Sequence, residues 1–349
     1  MLYNLDEICL IPAKTTDIEH RHQVFIYDEN NKLPIFAAPM HSVINIENRE
    51  VFEDAGINTI IPRTISWNER YNYIKNGMWT AVGLKEAEYL LINNYKELNK
   101  YTIKICIDQA NGHMSKLLKQ CLELKNKFNK ISIMTGNIAN PNTYEIYARH
   151  GIDYVRVGIG GGNACTTSVQ TGIHYPMGSL LTNILEEKQK VSININLGIK
   201  YKSLPKIVAD GGISRIDQAV KALALGADYV MLGKAFAKTE EACGDCQSYF
   251  STLDNKYVTL REYFGMSTEK AQELINKASL FPVENFQPKH TEGQVQTISV
   301  DYSLNDWVND FKHALKSCMS YNNAKELNQF IGKVRYNTMS ISTFNNYMK

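Results

Sequence analysis

No run of apolar residues in this chain approaches the ~18 that a membrane-crossing helix needs, so no membrane span is expected. Neither charge is in surplus: 38 Lys and Arg against 36 Asp and Glu leave +2, with eight histidines uncounted. A balance this even gives no case for a nucleic-acid or membrane-surface binder. The first ten residues, MLYNLDEICL, carry no basic stretch ahead of an apolar core, so no signal peptide is expected. Cysteine is sparse. Seven, an odd number spread over 349 residues, make no disulfide framework and point to a reducing, cytoplasmic compartment. Internal repeats and low-complexity linkers are missing too. What remains, 44% hydrophobic and 21% charged residues, fits a globular chain and excludes disorder.

The length allows two domains or one barrel of ~250 residues with insertions. Short apolar runs rich in Ile, Val and Tyr predict strands at Leu33–Ala38, Asn58–Ile61, Trp79–Leu84, Ile103–Asp108, Ile131–Gly136, Tyr154–Gly158, Lys206–Asp210 and Tyr229–Gly233. Runs apolar nearly throughout are buried on both faces, so the sheet is expected to be parallel. Amphipathic stretches lie between them, such as Ser115–Phe128 and Ile213–Gly226, the second with Gly226 as its C-cap. Eight alternations predict a (β/α)8 TIM barrel spanning 1–349 as one catalytic domain; a doubly wound open sheet is the rival.

Three segments break the rhythm. Residues 1–32 are expected to cover the barrel bottom. Ile159–Met177 reads as a glycine-rich loop, and Thr239–Val300 as a long, polar, irregular excursion after the eighth strand. Such an excursion at the C-terminal face reads as an active-site flap. Leu304–Phe330 reads as helix and the Asn/Ser-rich tail after Val334 as loose.

Active sites of such barrels lie at the C-terminal ends of the strands. Residues there include Pro39 to Ser42, Arg63, Asp108 to Gly112, Asn137, Gly160 to Thr167, Asp210 to Gly212 and Gly233-Lys234. Asp-Gly-Gly after the seventh strand and Gly-Lys after the eighth suit a phosphate, because glycine lets backbone N–H groups close on it. Turn glycines are the plain alternative. Cys165, in a glycine-rich loop, is a candidate nucleophile or a small buried residue; Thr166 and Thr167 would supply hydroxyls for a proton relay. The lone Cys243-Gly-Asp-Cys246 is poor zinc evidence. His41, His113, His174 and His290 fall near the rim, where each reads first as a structural residue.

Together, LDEICLIPAKTT, LPIFAAPM, ICIDQANGH, IMTGNIANP, VRVGIGGGNACTTSVQTGIHYP, IVADGGISRIDQAVKALALGADYVMLGKAFA, EYFGMSTEKA and SYNNAKEL resemble the IMP dehydrogenase/GMP reductase family over residues 4–330. The resemblance implies a barrel acting on a purine nucleoside monophosphate, with Cys165 forming a thioimidate at C2 and a nicotinamide cofactor exchanging hydride there. It implies phosphate and ribose contacts at Asp210, Gly211, Gly212, Gly233 and Lys234, with Gly265, Met266, Ser267 and Gly293 also on the substrate. It sets Arg63, Asp108, Gln109, Ala110, Ile159, Gly160 and Lys289 along the cofactor, and Gly160, Gly162 and Cys165 around a monovalent cation such as K+. A homotetramer is implied, with Arg21 reaching a neighbour's cofactor.

The branch follows from two features. Asp108 to Gly136 holds a single helix, with no room for an inserted regulatory domain. The flap reads Pro288-Lys289-His290-Thr291-Glu292-Gly293, without the Arg-Tyr pair that dehydrogenases use to activate water. The reductase reaction is therefore expected: GMP and NADPH give IMP, ammonia and oxidised cofactor, with Glu292 and Thr167 moving the proton. IMP oxidation to XMP with NAD, a modified purine, and a non-catalytic nucleotide-binding homologue are the alternatives. Asn163, Lys234, His41 and Arg63 depart from the family's usual residues.

Overall fold

A computed structural model describes residues 2–252 and 255–347. Strand β1 (Ile8–Leu10) precedes seven others: β2 (Ile35–Ala37), β3 (Thr80–Val82), β4 (Ile103–Ile107), β5 (Ile131–Ile138), β6 (Tyr154–Val157), β7 (Lys206–Asp210) and β8 (Tyr229–Leu232). These seven form one all-parallel sheet in the order β2-β8-β7-β6-β5-β4-β3. It is an α/β fold with a curled parallel sheet, consistent with a TIM-like barrel.

The segment expected as a second strand, 58–61, is reduced to single bridges, Asn58 to Phe36 and Ile61 to Thr80. It still bonds to both edges of the sheet. Asn58 N–H donates to the Ile35 carbonyl at 3.0 Å, and Ile61 N–H to the Trp79 carbonyl at 2.9 Å. Pro62 follows at once and has no N–H to carry a ladder on.

The sheet separates two apolar layers. Phe36, Ile60, Ala81, Cys106, Met134, Val208 and Met231 fill its inside. Outside, helices cover it with faces such as Leu117, Leu118, Cys121 and Leu124 of Ser115–Lys127. Burying one such aliphatic side chain is worth about 1.5–3 kcal/mol. This double burial is why the strands read as unbroken apolar runs. Ile213–Gly226 shortens to a helix at Ile216–Ala224; Leu225 is its C-cap and Gly226 follows at φ 118°.

Strands β9 (Cys246–Ser251), β10 (Lys256–Phe264) and β11 (Val295–Ser299) form a separate antiparallel sheet, ordered β11-β10-β9. Helix Glu269–Ala278, capped by the Thr268 hydroxyl, lies between β10 and β11. The 239–300 excursion, expected to be irregular, is instead a three-stranded sheet with a helix; residues 253 and 254 lie outside the described residues. Its strands were hidden because much of their surface faces water and carries polar side chains.

Leu304–Phe330 is two helices, Leu304–Tyr321 and Leu327–Phe330. Asn323 between them takes φ 53°, which ends the first. The tail is not loose: β12 (Tyr336–Thr338) pairs with β1, and Ile341–Tyr347 is helical. Residues 348 and 349 lie outside the described residues. Of residues 1–32, the turn at Asp28 and Glu29 covers the N-terminal ends of β7 and β8. Tyr229 donates to Asp28 at 2.9 Å, and Lys206 pairs with Glu29. No helix among the described residues is long and apolar enough to cross a membrane.

Candidate active site

A cavity of about 600 Å3 opens at the C-terminal ends of the parallel strands. A slightly larger one, about 670 Å3, lies at the opposite end. There Lys188 is spent on Asp228 and Lys206 on Glu29. The first gathers most of the residues that the sequence singled out. Its wall brings together Cys165, Thr167 and Glu292; Asp210, Gly211, Gly212, Gly233, Lys234, Gly265, Met266 and Ser267; and Arg63, Asp108, Gln109, Ala110, Ile159, Gly160, Gly162 and Lys289. Gly293 is not in the wall. It pairs backbone to backbone with Cys165.

The loop after β6 is bent by glycine. Gly158 has φ 127°, and a Cβ there would overlap the Asp210 carbonyl at the end of β7. Gly212, at φ 76°, would bring a Cβ to 2.8 Å from the Gly161 oxygen. The Cys165 loop and the Asp210–Gly212 turn thus pack backbone to backbone. Side chains at either point would force them apart.

At the tip of that loop the Cys165 thiol donates to Thr167 Oγ1 at 3.2 Å. The Thr167 hydroxyl donates to Glu292 Oε2 at 2.5 Å. Thiol, hydroxyl and carboxylate form one hydrogen-bonded chain between two distant parts of the sequence. Backbone bonds fasten it: Thr166 N–H to the Glu292 carbonyl and Gln294 N–H to the Ala164 carbonyl, both 2.9 Å. Thr166 does not join it, since its buried hydroxyl has no hydrogen-bond partner among the described residues.

Across the cavity, Arg156 is wedged between two carboxylates. Its Nη1 donates to Asp108 at 2.7 Å and its Nε to Asp210 at 2.9 Å. Asn137 donates to the same Asp210 oxygen at 2.8 Å. Burial alone would push the Asp108 carboxyl up; Arg156, with Arg63 at 4.0 Å, outweighs it and holds Asp108 below its ordinary value. The same burial works against the Arg156 charge, yet Asp210 and Asp108 hold it well above its ordinary value. Sequence reasoning missed Arg156, although a charged residue inside the buried run Tyr154–Val157 was a usable signal. It also missed Tyr263, whose hydroxyl burial pushes up, and Gln272, both in the cavity wall.

The remaining candidates scatter. His290 lines the cavity. His41 lies against Phe264, His113 bonds to Thr143 and to the Ala139 N–H, and His174 meets the Ile159 carbonyl. The Cys243 and Cys246 sulfurs part company: the first donates to the His41 carbonyl, the second accepts from Arg261 Nε. Among the described residues no three His, Cys, Asp or Glu side chains gather as metal ligands.

A cysteine-bearing loop facing a glycine turn, at the C-terminal ends of a parallel α/β sheet, is the arrangement of barrel-like α/β proteins. Within that class, this chain belongs to the IMP dehydrogenase/GMP reductase family, whose domain model matches residues 3–347. The family is one of oxidoreductases. The chain is 27% identical to the GMP reductase of Oceanobacillus iheyensis over 353 residues, covering 99% of this chain and 98% of that protein. It is equally 27% identical to the GMP reductases of Ligilactobacillus salivarius, over 99% of both chains, and Helicobacter pylori, over 99% and 98%.

Proposed function

We propose that this protein catalyses the NADPH-dependent reductive deamination of GMP to IMP and ammonia. The observation that carries the reading is the continuous path from Cys165 through Thr167 to Glu292. We read the chain as one catalytic unit, a closed (β/α)8 barrel completed by 58–61, with 239–300 as its flap. A cytoplasmic setting and a homotetramer belong to the same reading.

The path can move one proton twice. Thr167 would pass the Cys165 proton to Glu292, leaving a thiolate that bonds to purine C2. The C2–N bond then breaks, and Glu292, again through Thr167, returns the proton to the departing nitrogen. Without that proton the amine is a poor leaving group. NADPH, when bound, supplies the hydride that replaces sulfur at C2, and the thiolate is released. The flap's backbone bonds to the Cys165 loop keep water from the ring carbon meanwhile.

The residues present fit both ligands. Gly211, Gly212 and Gly233 give a phosphate close backbone approach, and Lys234 adds a positive charge. Arg63, in the cavity wall with Asp108, Gln109 and Lys289, has a buried Nε with no hydrogen-bond partner among the described residues. It would meet the nicotinamide cofactor. The cation site is less apt. The Gly160 carbonyl already accepts from Ser168 and the Gly162 carbonyl from Cys165 N–H, so no step is derived through K+.

One observation weighs against IMP dehydrogenation. The lone arginine of 239–300, Arg261, is buried and spends its donors on the Ala237, Thr239 and Glu240 carbonyls and Cys246. It is not free to activate water.

The test is to offer GMP with NADPH, and separately IMP with NAD, following nicotinamide absorbance and ammonia. Ammonia released one for one with NADPH consumed is the expected result. Faster oxidation of IMP to XMP, or no turnover of either pair, would overturn the reading.

A further inference from the structure

We propose that Gln272 is a positioning residue: its side-chain amide holds the flap at Lys289 against the loop at Ser267, and so sets Glu292 over the Cys165–Thr167 pair. This rests on the reading of Glu292 as the proton carrier. Gln272 sits in the first turns of the flap helix and reaches the cavity wall. Its Oε1 accepts from Lys289 N–H at 2.9 Å, while its Nε2 donates to the Lys289 carbonyl at 3.2 Å. That is the pair of bonds a neighbouring β-strand would make. The same Nε2 donates to the Ser267 carbonyl at 3.1 Å. One amide therefore ties together two stretches that both border the cavity.

The segment it ties needs such a bond. From Phe286 to Thr291 the chain is in neither helix nor strand. Glu292 lies three residues beyond Lys289, about 10 Å of chain at most. Its far side is fixed by Thr166 N–H on its own carbonyl. Gln272 fixes the near side at Lys289, alongside the bond from Gln170 Nε2 to the Thr291 carbonyl at 3.2 Å. With both ends held, the carboxylate has little room to swing away from Thr167; with one released, it does. A shift of ~1 Å in a group that transfers a proton costs up to about 100-fold in rate.

The same tie should govern access to the thiol. Cys165 is half-buried and pairs backbone to backbone with Gly293, four residues beyond Lys289. Loosening Lys289 should expose its sulfur to small reagents.

The test compares wild type with Gln272→Met, which keeps the side chain's length and removes all three bonds. Gln272→Glu keeps the acceptor for Lys289 N–H and should fall between them. Two readouts are taken: steady-state GMP reduction, and iodoacetamide labelling of each cysteine followed by peptide mass spectrometry. For Gln272→Met we expect kcat to fall on the order of 10- to 100-fold, with KM for GMP within about threefold. Cys165 labelling should rise, with exposed Cys9 unchanged and buried Cys106 and Cys121 still silent. Equal kcat, equal Cys165 labelling, or a rise shared with Cys106 and Cys121 would overturn the proposal; the last would mean general loosening. If wild type reduces no GMP yet the selective rise at Cys165 appears, the reaction assigned is wrong and the positioning role stands.

Discussion

Cys165 and Glu292 stand on regions built in opposite ways. Cys165 and Thr167 follow β6, in a parallel sheet whose strands are buried on both faces. Glu292 stands beside an antiparallel sheet with β9 exposed along most of its length and Tyr257 77% exposed on β10. The first region is held by apolar area, which no single polar bond decides. The second adds Tyr263 and Ile298 to the core, and meets the Cys165 loop through backbone hydrogen bonds of 2.9 Å. The comparison teaches a division of labour. On the proposed function, the parallel sheet fixes the sulfur and the 239–300 segment contributes the carboxylate that completes the site.

Removing either end of the path should sharpen that division. Cys165→Ala takes the nucleophile from the rigid half. Turnover should drop on the order of 10⁵-fold or more, while GMP affinity by calorimetry stays within about threefold. Retained turnover would show that no covalent step passes through Cys165. Glu292→Gln removes the proposed acid from the half that bears the antiparallel sheet. A general acid is worth roughly 10²–10⁴-fold, so ammonia release should slow by that factor. Hydride transfer to a preformed intermediate, read by single-turnover absorbance, should stay nearly intact. Ammonia release at the wild-type rate would detach the flap from the chemistry.

The same contrast governs what the sequence made legible. Strands such as Lys206–Asp210 and Tyr229–Leu232 were plain because burial on both faces demands apolar residues throughout. The glycines at 211 and 212 were plain because their backbone geometry excludes side chains. Strands β9 to β11 were not, since a sheet facing water has no such demand. The bonding of β12 with β1 was hidden for another reason: three-residue strands lying at opposite ends of the chain leave no periodic signal. Arg156 was passed over because the apolar neighbours set the reading of its strand. Its role depends on Asp108 and Asp210, which only the fold brings to it.

A third change tests the rigid half alone. Arg70 is fully buried and forks onto Glu86, with Nη2 at 2.6 Å and Nη1 at 2.9 Å. Its other bonds go to the Ile65, Ala81 and Ala278 carbonyls. Glu86 accepts Gly83 N–H as well, at 2.8 Å. Glu86→Gln leaves the Arg70 charge buried without its counter-charge, and breaking such a pair costs about 3–5 kcal/mol. Urea unfolding at neutral pH should show that loss. GMP turnover per folded molecule should change least of the three variants, because Arg70 meets the flap only at Ala278, the end of its helix. The pH dependence gives a further check. Burial alone would raise the Glu86 carboxyl, but Arg70, the Gly83 N–H and Arg63 hold it below its ordinary 4.5. Its contribution is therefore complete above pH 4.5 and is lost as pH falls through the lower folded-state value. The variant has no carboxyl to protonate, so the stability gap between the two proteins should close in acid. A gap that stayed constant there would mean that the lost stability comes from packing rather than from the ion pair.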